Sequence, residues 1–203
     1  MIFKSMLHLP KSLILASGSP RRAHLLRQVG LTFQVMATGV EERYNGKGPV
    51  EFAEHISTEK ARAAASKVDD AIILAADTIV VLENRIIGKP RDESDAVKML
   101  TDLSGRMHEV ISAYTIYDRP SDTVMTNHEL TRVWFRDLDQ DEIGAYIATG
   151  SPFDKAGSYG IQDDFGAVFV SRIEGCYYNV VGLPLAKVYT DLKRFITHPS
   201  MLK

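Results

Sequence analysis

Leu13-Ile14-Leu15-Ala16-Ser17-Gly18-Ser19-Pro20-Arg21-Arg22 is the stretch on which the architecture turns. Four apolar residues make a short strand, and Ser-Gly-Ser-Pro makes a tight turn. Helical spacing follows, with Ala23, Leu25, Leu26 and Val29 apolar and Gly30 as a stop. Ser19 fits the N-cap and Pro20 the first helical position. A strand feeding a helix N-terminus through such a turn offers free N–H groups and the positive end of the dipole, which is an anion site. Gly18 lets a ligand approach the backbone. Two arginines in the first turn are electrostatically misplaced unless an anion is nearby. The plainer alternative is a solvated arginine pair after an ordinary serine cap, and both readings fit these residues.

Outward from there, Phe33 to Met36 reads as a second strand and Thr38 to Gly48 as a polar loop. Val50 to Lys67 has helical spacing. Ala71 to Ala76 is a continuous apolar run, the mark of a strand covered on both faces. Ile79 to Leu82, a Glu83-Asn84 turn and Ile86-Ile87 can pair as a hairpin. Asp95 to Leu103 is helical, His108 to Tyr117 and Val124 to Phe135 are two long strands joined around Asp118-Arg119-Pro120, and Asp139 to Ile147 is a helix. Ala167 to Ile173 is a late strand and Leu185 to Ile196 a closing helix. Strands alternate with helices, with an antiparallel pair in the middle, so the class is α/β with a mixed sheet. No repeat or linker interrupts the 203 residues, which read as one domain with a cleft between two lobes.

Composition excludes several classes. Lys and Arg number 24 against 26 Asp and Glu, a net charge of −2, which argues against binding nucleic acid by bulk charge. With 45% hydrophobic and 25% charged residues the chain is globular rather than disordered. One cysteine, Cys176, precludes an intrachain disulfide. No apolar run approaches the roughly 18 residues of a membrane span. Residues 1–12 read as a ragged start, not a signal peptide, so a cytoplasmic protein is expected. Dinucleotide, Walker A, His-Glu-x-x-His and Gly-x-Ser-x-Gly motifs are all missing.

Other stretches carry chemistry. Asp77 follows the apolar run and is expected to end a buried strand, where ligands of α/β sheets collect. A carboxylate there is partly desolvated and needs a partner or a chemical role. It can hold Mg²⁺, polarise a water, or simply cap a turn. Glu41-Glu42, Lys60 and Lys89, the last held between Gly88 and Pro90, add charge at the ends of elements. Ser151 to Gln162 combines adjacent opposite charges (Asp154-Lys155), two glycines and a terminal amide. Gly175 to Leu185 reads as punctuation before a helix, plus core.

Taken in order, Ser17-Gly18-Ser19-Pro20-Arg21-Arg22, Ala76-Asp77-Thr78, Gly88-Lys89-Pro90, Asp154 to Gln162 and Asn179 to Pro184 resemble the Maf family of nucleoside triphosphate pyrophosphatases, from Leu13 to about Phe195. The resemblance implies a single Maf-like domain over 1–203 with an inosine-triphosphatase-like mixed sheet, two lobes and a long central cleft. It also implies cleavage of a nucleoside triphosphate to monophosphate and diphosphate with a divalent metal, Mg²⁺ or Mn²⁺, and a homodimer. Asp77 falls on the family's proton acceptor. Glu42, Lys60, Lys89 and Arg22 fall on its phosphate and metal site; of the two candidate metal ligands, Glu42 and Asp77, Glu42 is expected to hold the metal while Asp77 acts as base. The opposite assignment, Asp77 to metal and Glu42 as base, stays open.

Base preference is implied as well. Arg21, Thr78 and Gln162 match the selector positions of the branch acting on dTTP and UTP. The branch resembling 7-methyl-GTP pyrophosphatases carries Trp, Gln and Glu there. A Gln amide both donates and accepts, which suits the N3–H and flanking carbonyls of uracil and thymine. A phosphate grip by Ser17, Ser19 and Arg22 is expected beside it. Two alternatives from other classes are a nucleotide-binding regulator of cell division and a nucleic-acid-binding protein. Intact Asp77, Lys60 and Lys89 speak against the first, and net charge and the lack of a basic aromatic stripe against the second.

Overall fold

The computed structural model of the chain describes residues 7–42, 46, 48–162 and 165–197. Part of the ragged start and part of the Thr38–Gly48 loop lie outside the described residues. The first strand, β1 (Leu13–Leu15), leads into α1 (Pro20–Gln28), with Ser19 at the N-cap and Pro20 opening the helix. The expected cap bond differs. Ser19 makes no side-chain cap; its N–H donates instead to Ser17 Oγ at 3.2 Å. Gly30, at φ 75°, ends the helix in the left-handed region that suits glycine.

Next come β2 (Gln34–Val35), α2 (Pro49–Ala65), β3 (Ala71–Leu82), β4 (Arg85–Ile87) and α3 (Glu93–Leu103). Then follow β5 (Met107–Arg119), β6 (Val124–Phe135) and α4 (Gln140–Ala148). α4 has a full capping box between Asp139 and Glu142. After two short 3₁₀ turns come α5 (Gly166–Phe169), β7 (Val170–Glu174), α6 (Tyr177–Val181) and α7 (Leu185–Ile196). The late strand expected from Ala167 begins only at Val170, because Gly166–Phe169 coils into one helical turn and buries Phe169. Among the described residues seven strands make one mixed sheet in the order β2-β1-β3-β5-β6-β7, with β4 paired to β3. β1 runs parallel to β2 and β3; β4 runs antiparallel to β3, and β7 to β6.

The chain divides into two compact units. The first runs to Asp77 and adds Ser112–His128 and the chain from Gly182; the second is Thr78–Ile111 with Glu129–Val181. In the first unit, Ala61, Ala64 and Ala65 of α2 pack on Ile14 and Ala16 and on Ala71, Ile73 and Ala75 of β3. Small residues on both partners let helix and strand approach closely. In the second, Tyr159 lies edge-on to Phe135 and His108, and Phe169 edge-on to Phe135 and Tyr146.

Candidate active site

Period-two alternation decides where Asp77 points. Ala71, Ile73 and Ala75 face α2, so Asp77, the next odd residue, lies on the same face. α2 packs Ala61, Ala64 and Ala65 in the same cluster, and Lys60 stands next to Ala61, one turn before Ala64. Its ammonium meets the carboxylate. Lys60 Nζ donates to Asp77 Oδ1 at 2.7 Å and to Glu42 Oε1 at 2.7 Å. Asp77 is only 3% exposed, the Lys60 side chain 11%, and that of Glu42 41%. One ammonium thus holds two carboxylates, one buried and one at the surface.

The expectation that Asp77 ends a strand is corrected. β3 continues unbroken to Leu82, and Asp77 stands in its middle. The strand survives a buried charge because Lys60 neutralises it. β1 pairs with residues 72–74 of β3, and β4 with residues 80–82. Asp77 falls between the two pairings.

Arg22 is on the first turn of α1 and 8% exposed. Its Nε donates to Gly182 O at 2.9 Å, and its Nη1 to Ser17 Oγ at 3.0 Å and Ala76 O at 2.9 Å. Burial pushes the guanidinium pKa down, and the nearby Asp77 and Glu42 charges oppose that shift. Within the first unit, then, Ser17, Arg22, Glu42, Lys60 and Asp77 come together, with half-buried Ser19 and Arg21 at the same helix start.

Thr78, Lys89 and Gln162 belong to the second unit. Thr78 is half-buried and, by alternation, faces away from the Asp77 side of β3. Lys89 is exposed on a turn that the 3₁₀ segment secures, since the Gly157 N–H donates to Gly88 O at 2.9 Å. Gly157 is at φ 70°, and a Cβ there would meet Val80 at 3.0 Å. The charges of Asp154-Lys155 turn out to be a loop clip: buried Lys155 donates to Ser151 O at 2.6 Å and Asp154 Oδ1 at 2.8 Å. Gln162 is half-buried in the turn that follows.

Sequence reasoning missed two parts of these units. One is Gly182, whose carbonyl receives Arg22; its signal is its place in Asn179–Pro184, one of the stretches that carry the family resemblance, although the sequence assigns it no role there. The other is His108, 1% exposed, whose Nε2 lies 2.8 Å from Tyr159 Oη. The His108–Tyr159 pairing crosses 51 positions and leaves no local mark.

Glu42 and Asp77 are the residues here that suit a metal. Their oxygens already converge on one cationic group, Lys60 Nζ, and carboxylate oxygen is the donor that Mg²⁺ and Mn²⁺ prefer. Among the described residues no group of three His, Cys, Asp or Glu gathers for a metal. No helix among the described residues is long and apolar enough to cross a membrane.

Among solved structures the likeness is loose: that of the Staphylococcus aureus Ham1 protein aligns with 63% of this chain and 73% of its own at a TM-score of 0.45 and 14% identity. Sequence similarity is far stronger. A protein of Pelotomaculum thermopropionicum is 46% identical over 186 residues, 91% of this chain and 97% of its own. One of Carboxydothermus hydrogenoformans is 46% identical over 89% of this chain and 97% of its own, and one of Geobacter sulfurreducens 48% identical over 90% and 95%. All three are named dTTP/UTP pyrophosphatase. The Maf-like protein family matches residues 12–195, which carry the Ser17–Arg22 turn, the Lys60–Asp77 pair and the Gly88–Pro90 turn, and the chain belongs to the Maf family.

Proposed function

We propose that this protein hydrolyses dTTP and UTP to the monophosphate and diphosphate. The observation that carries the chemistry is the meeting of Asp77 and Glu42 on Lys60 Nζ, both at 2.7 Å. The choice of substrate is supported by the names of relatives that share 46–48% of their residues with nearly the whole chain.

Glu42 would hold the divalent cation, and a bound Mg²⁺ or Mn²⁺ offsets part of the roughly four negative charges of a triphosphate. Lys60 occupies Asp77 Oδ1, and we assign Oδ2 to the proton of the attacking water. The water oxygen bonds to the α-phosphorus as the bond to the bridging oxygen breaks, the proton passes to Asp77, and diphosphate leaves. The start of α1, with Ser17 and Ser19, offers hydrogen-bond donors to phosphate oxygens. Lys60 and Lys89 supply positive charge for the transition state. Arg21, Thr78 and Gln162 select the pyrimidine, Gln162 by an amide that can both donate and accept. We place the protein in the cytoplasm, acting on free nucleotides to clean the pool, as a homodimer without a nucleic-acid partner.

The test is a panel of nucleoside triphosphates, 7-methyl-GTP included, assayed for diphosphate with Mg²⁺, Mn²⁺ or a chelator. Diphosphate from dTTP and UTP, abolished by the chelator, is the expected result. Binding without turnover would leave the regulator reading, and preference for 7-methyl-GTP would move the chain to the other branch.

A further inference from the structure

We infer that Arg22 is a positioning residue for Asp77 and Ser17, not a phosphate ligand. This rests on the pyrophosphatase reading above. A guanidinium recognises phosphate through one of two donor edges, Nε with Nη2 or Nη1 with Nη2. Here Nε is given to Gly182 O, and the two hydrogens of Nη1 to Ser17 Oγ and Ala76 O. Neither edge is left whole for a bidentate grip.

The acceptors say what the residue does instead. They lie 5, 54 and 160 positions from Arg22, on the turn after β1, in the middle of β3 and ahead of α7. One buried cation therefore ties three segments of the first unit together. Ala76 O belongs to the peptide that joins Ala76 to Asp77, so the bond sets the plane from which the Asp77 side chain departs. Ser17 Oγ accepts from both Arg22 Nη1 and the Ser19 N–H, at 3.0 and 3.2 Å. With both lone pairs engaged, the Ser17 hydroxyl proton is directed away from Arg22 as a donor. Arg22 thus orients the base and turns a hydroxyl into a phosphate donor. The same geometry explains the Asn179–Pro184 stretch, which presents the Gly182 carbonyl that closes the fork. It also resolves the misplaced arginine of the helix start, whose partners are carbonyl and hydroxyl oxygens of its own chain.

Arg22→Lys keeps the charge but cannot make a three-way fork. It should lower kcat for dTTP about a hundredfold, the scale of an ångström-level misplacement. KM, and the Kd of a non-hydrolysable α,β-methylene dTTP, should stay within about threefold. The amide resonances of Asp77 and Thr78 in a ¹⁵N-labelled protein should shift without any nucleotide present. A phosphate ligand predicts the opposite: kcat little changed by Lys, analogue affinity lost, and strand amides unmoved. That pattern would overturn the inference. Should Arg22→Lys fail to fold, Ser17→Ala removes one acceptor at little cost in packing, and must still move the Asp77 and Thr78 amides; unmoved amides would refute the coupling. If the wild-type protein released no diphosphate from dTTP, the substrate reading would fall, while the amide shifts would still decide whether Arg22 holds Asp77.

Discussion

His108 offers the sharpest quantitative test of how the second unit is held together. Burial among Phe135 and Tyr159 pushes its pKa down from 6.5 to about 3. Its Nδ1 has no hydrogen-bond partner among the described residues. The folded protein therefore keeps the imidazole neutral, while the unfolded chain takes up a proton as pH falls through 6.5. Between those two values the unfolded state binds more protons, so stability falls with acidification and the loss is complete near pH 3. At about pH 5 the linkage amounts to roughly 2 kcal/mol relative to neutral pH. His108→Gln keeps a group able to bond Tyr159 Oη but removes the titration. Urea unfolding of both proteins at about pH 7.5 and about pH 5 isolates the effect, because other titrating groups cancel in the difference. The wild type should lose roughly 2 kcal/mol more than the variant on acidification. Parallel losses would mean that His108 is charged or hydrated in the folded state, and the buried neutral pairing with Tyr159 would be wrong. Tyr159 stands three residues before Gln162, so dTTP turnover by His108→Gln further reports whether this pairing supports the selector turn.

Four other outcomes follow from the same geometry. Asp77→Asn should keep the fold and nucleotide binding but lower turnover by about 10²–10⁴, the range of a general base, measured as diphosphate release; near-normal turnover would remove Asp77 from that role. Lys60→Met leaves the Asp77 carboxylate buried beside α2 without its ion pair, and should cost about 3 kcal/mol in chemical denaturation, the low end for a broken buried pair because the Arg22 charge still acts on Asp77; a loss below about 1 kcal/mol would mean that water already solvates the pair. Gln162→Glu should reduce dTTP and UTP turnover far more than it lowers the melting temperature, and unchanged kinetics on both substrates would take Gln162 out of base selection. Gly157→Ala places a Cβ at φ 70° and 3.0 Å from Val80, so it should destabilise by about 1–2 kcal/mol and lower turnover through the Lys89 turn; a neutral effect on both would show that the turn tolerates the shift.

Much of the fold is legible locally. Strand, turn and helix from Leu13 to Gln28 follow from apolar spacing, a proline at the first helical position and a glycine stop. Leu185–Ile196 is a helix as its strong apolar period predicts. Strand and helix periods are set by covalent geometry, so neighbours in sequence suffice to read them. Gly166–Phe169 misleads because a four-residue helix and a strand start look alike when the residues are apolar. Asp77 mimics a strand end because a charge inside a buried strand is costly unless something answers it, and the answer, Lys60, is 17 positions away on another element.

The candidate site divides the same way. Asp77, Lys60, Glu42, Lys89 and Arg22 are candidates because the stretches around them, in their order along the chain, resemble the family's motifs. Their partners are a different matter. That Lys60 joins Glu42 to Asp77, that Arg22 reaches Ala76 and Gly182, and that His108 pairs with Tyr159 is decided by tertiary structure alone. A hydrogen bond depends on distances of about 3 Å, and only sheet order and helix packing bring atoms 17 to 160 positions apart within that reach.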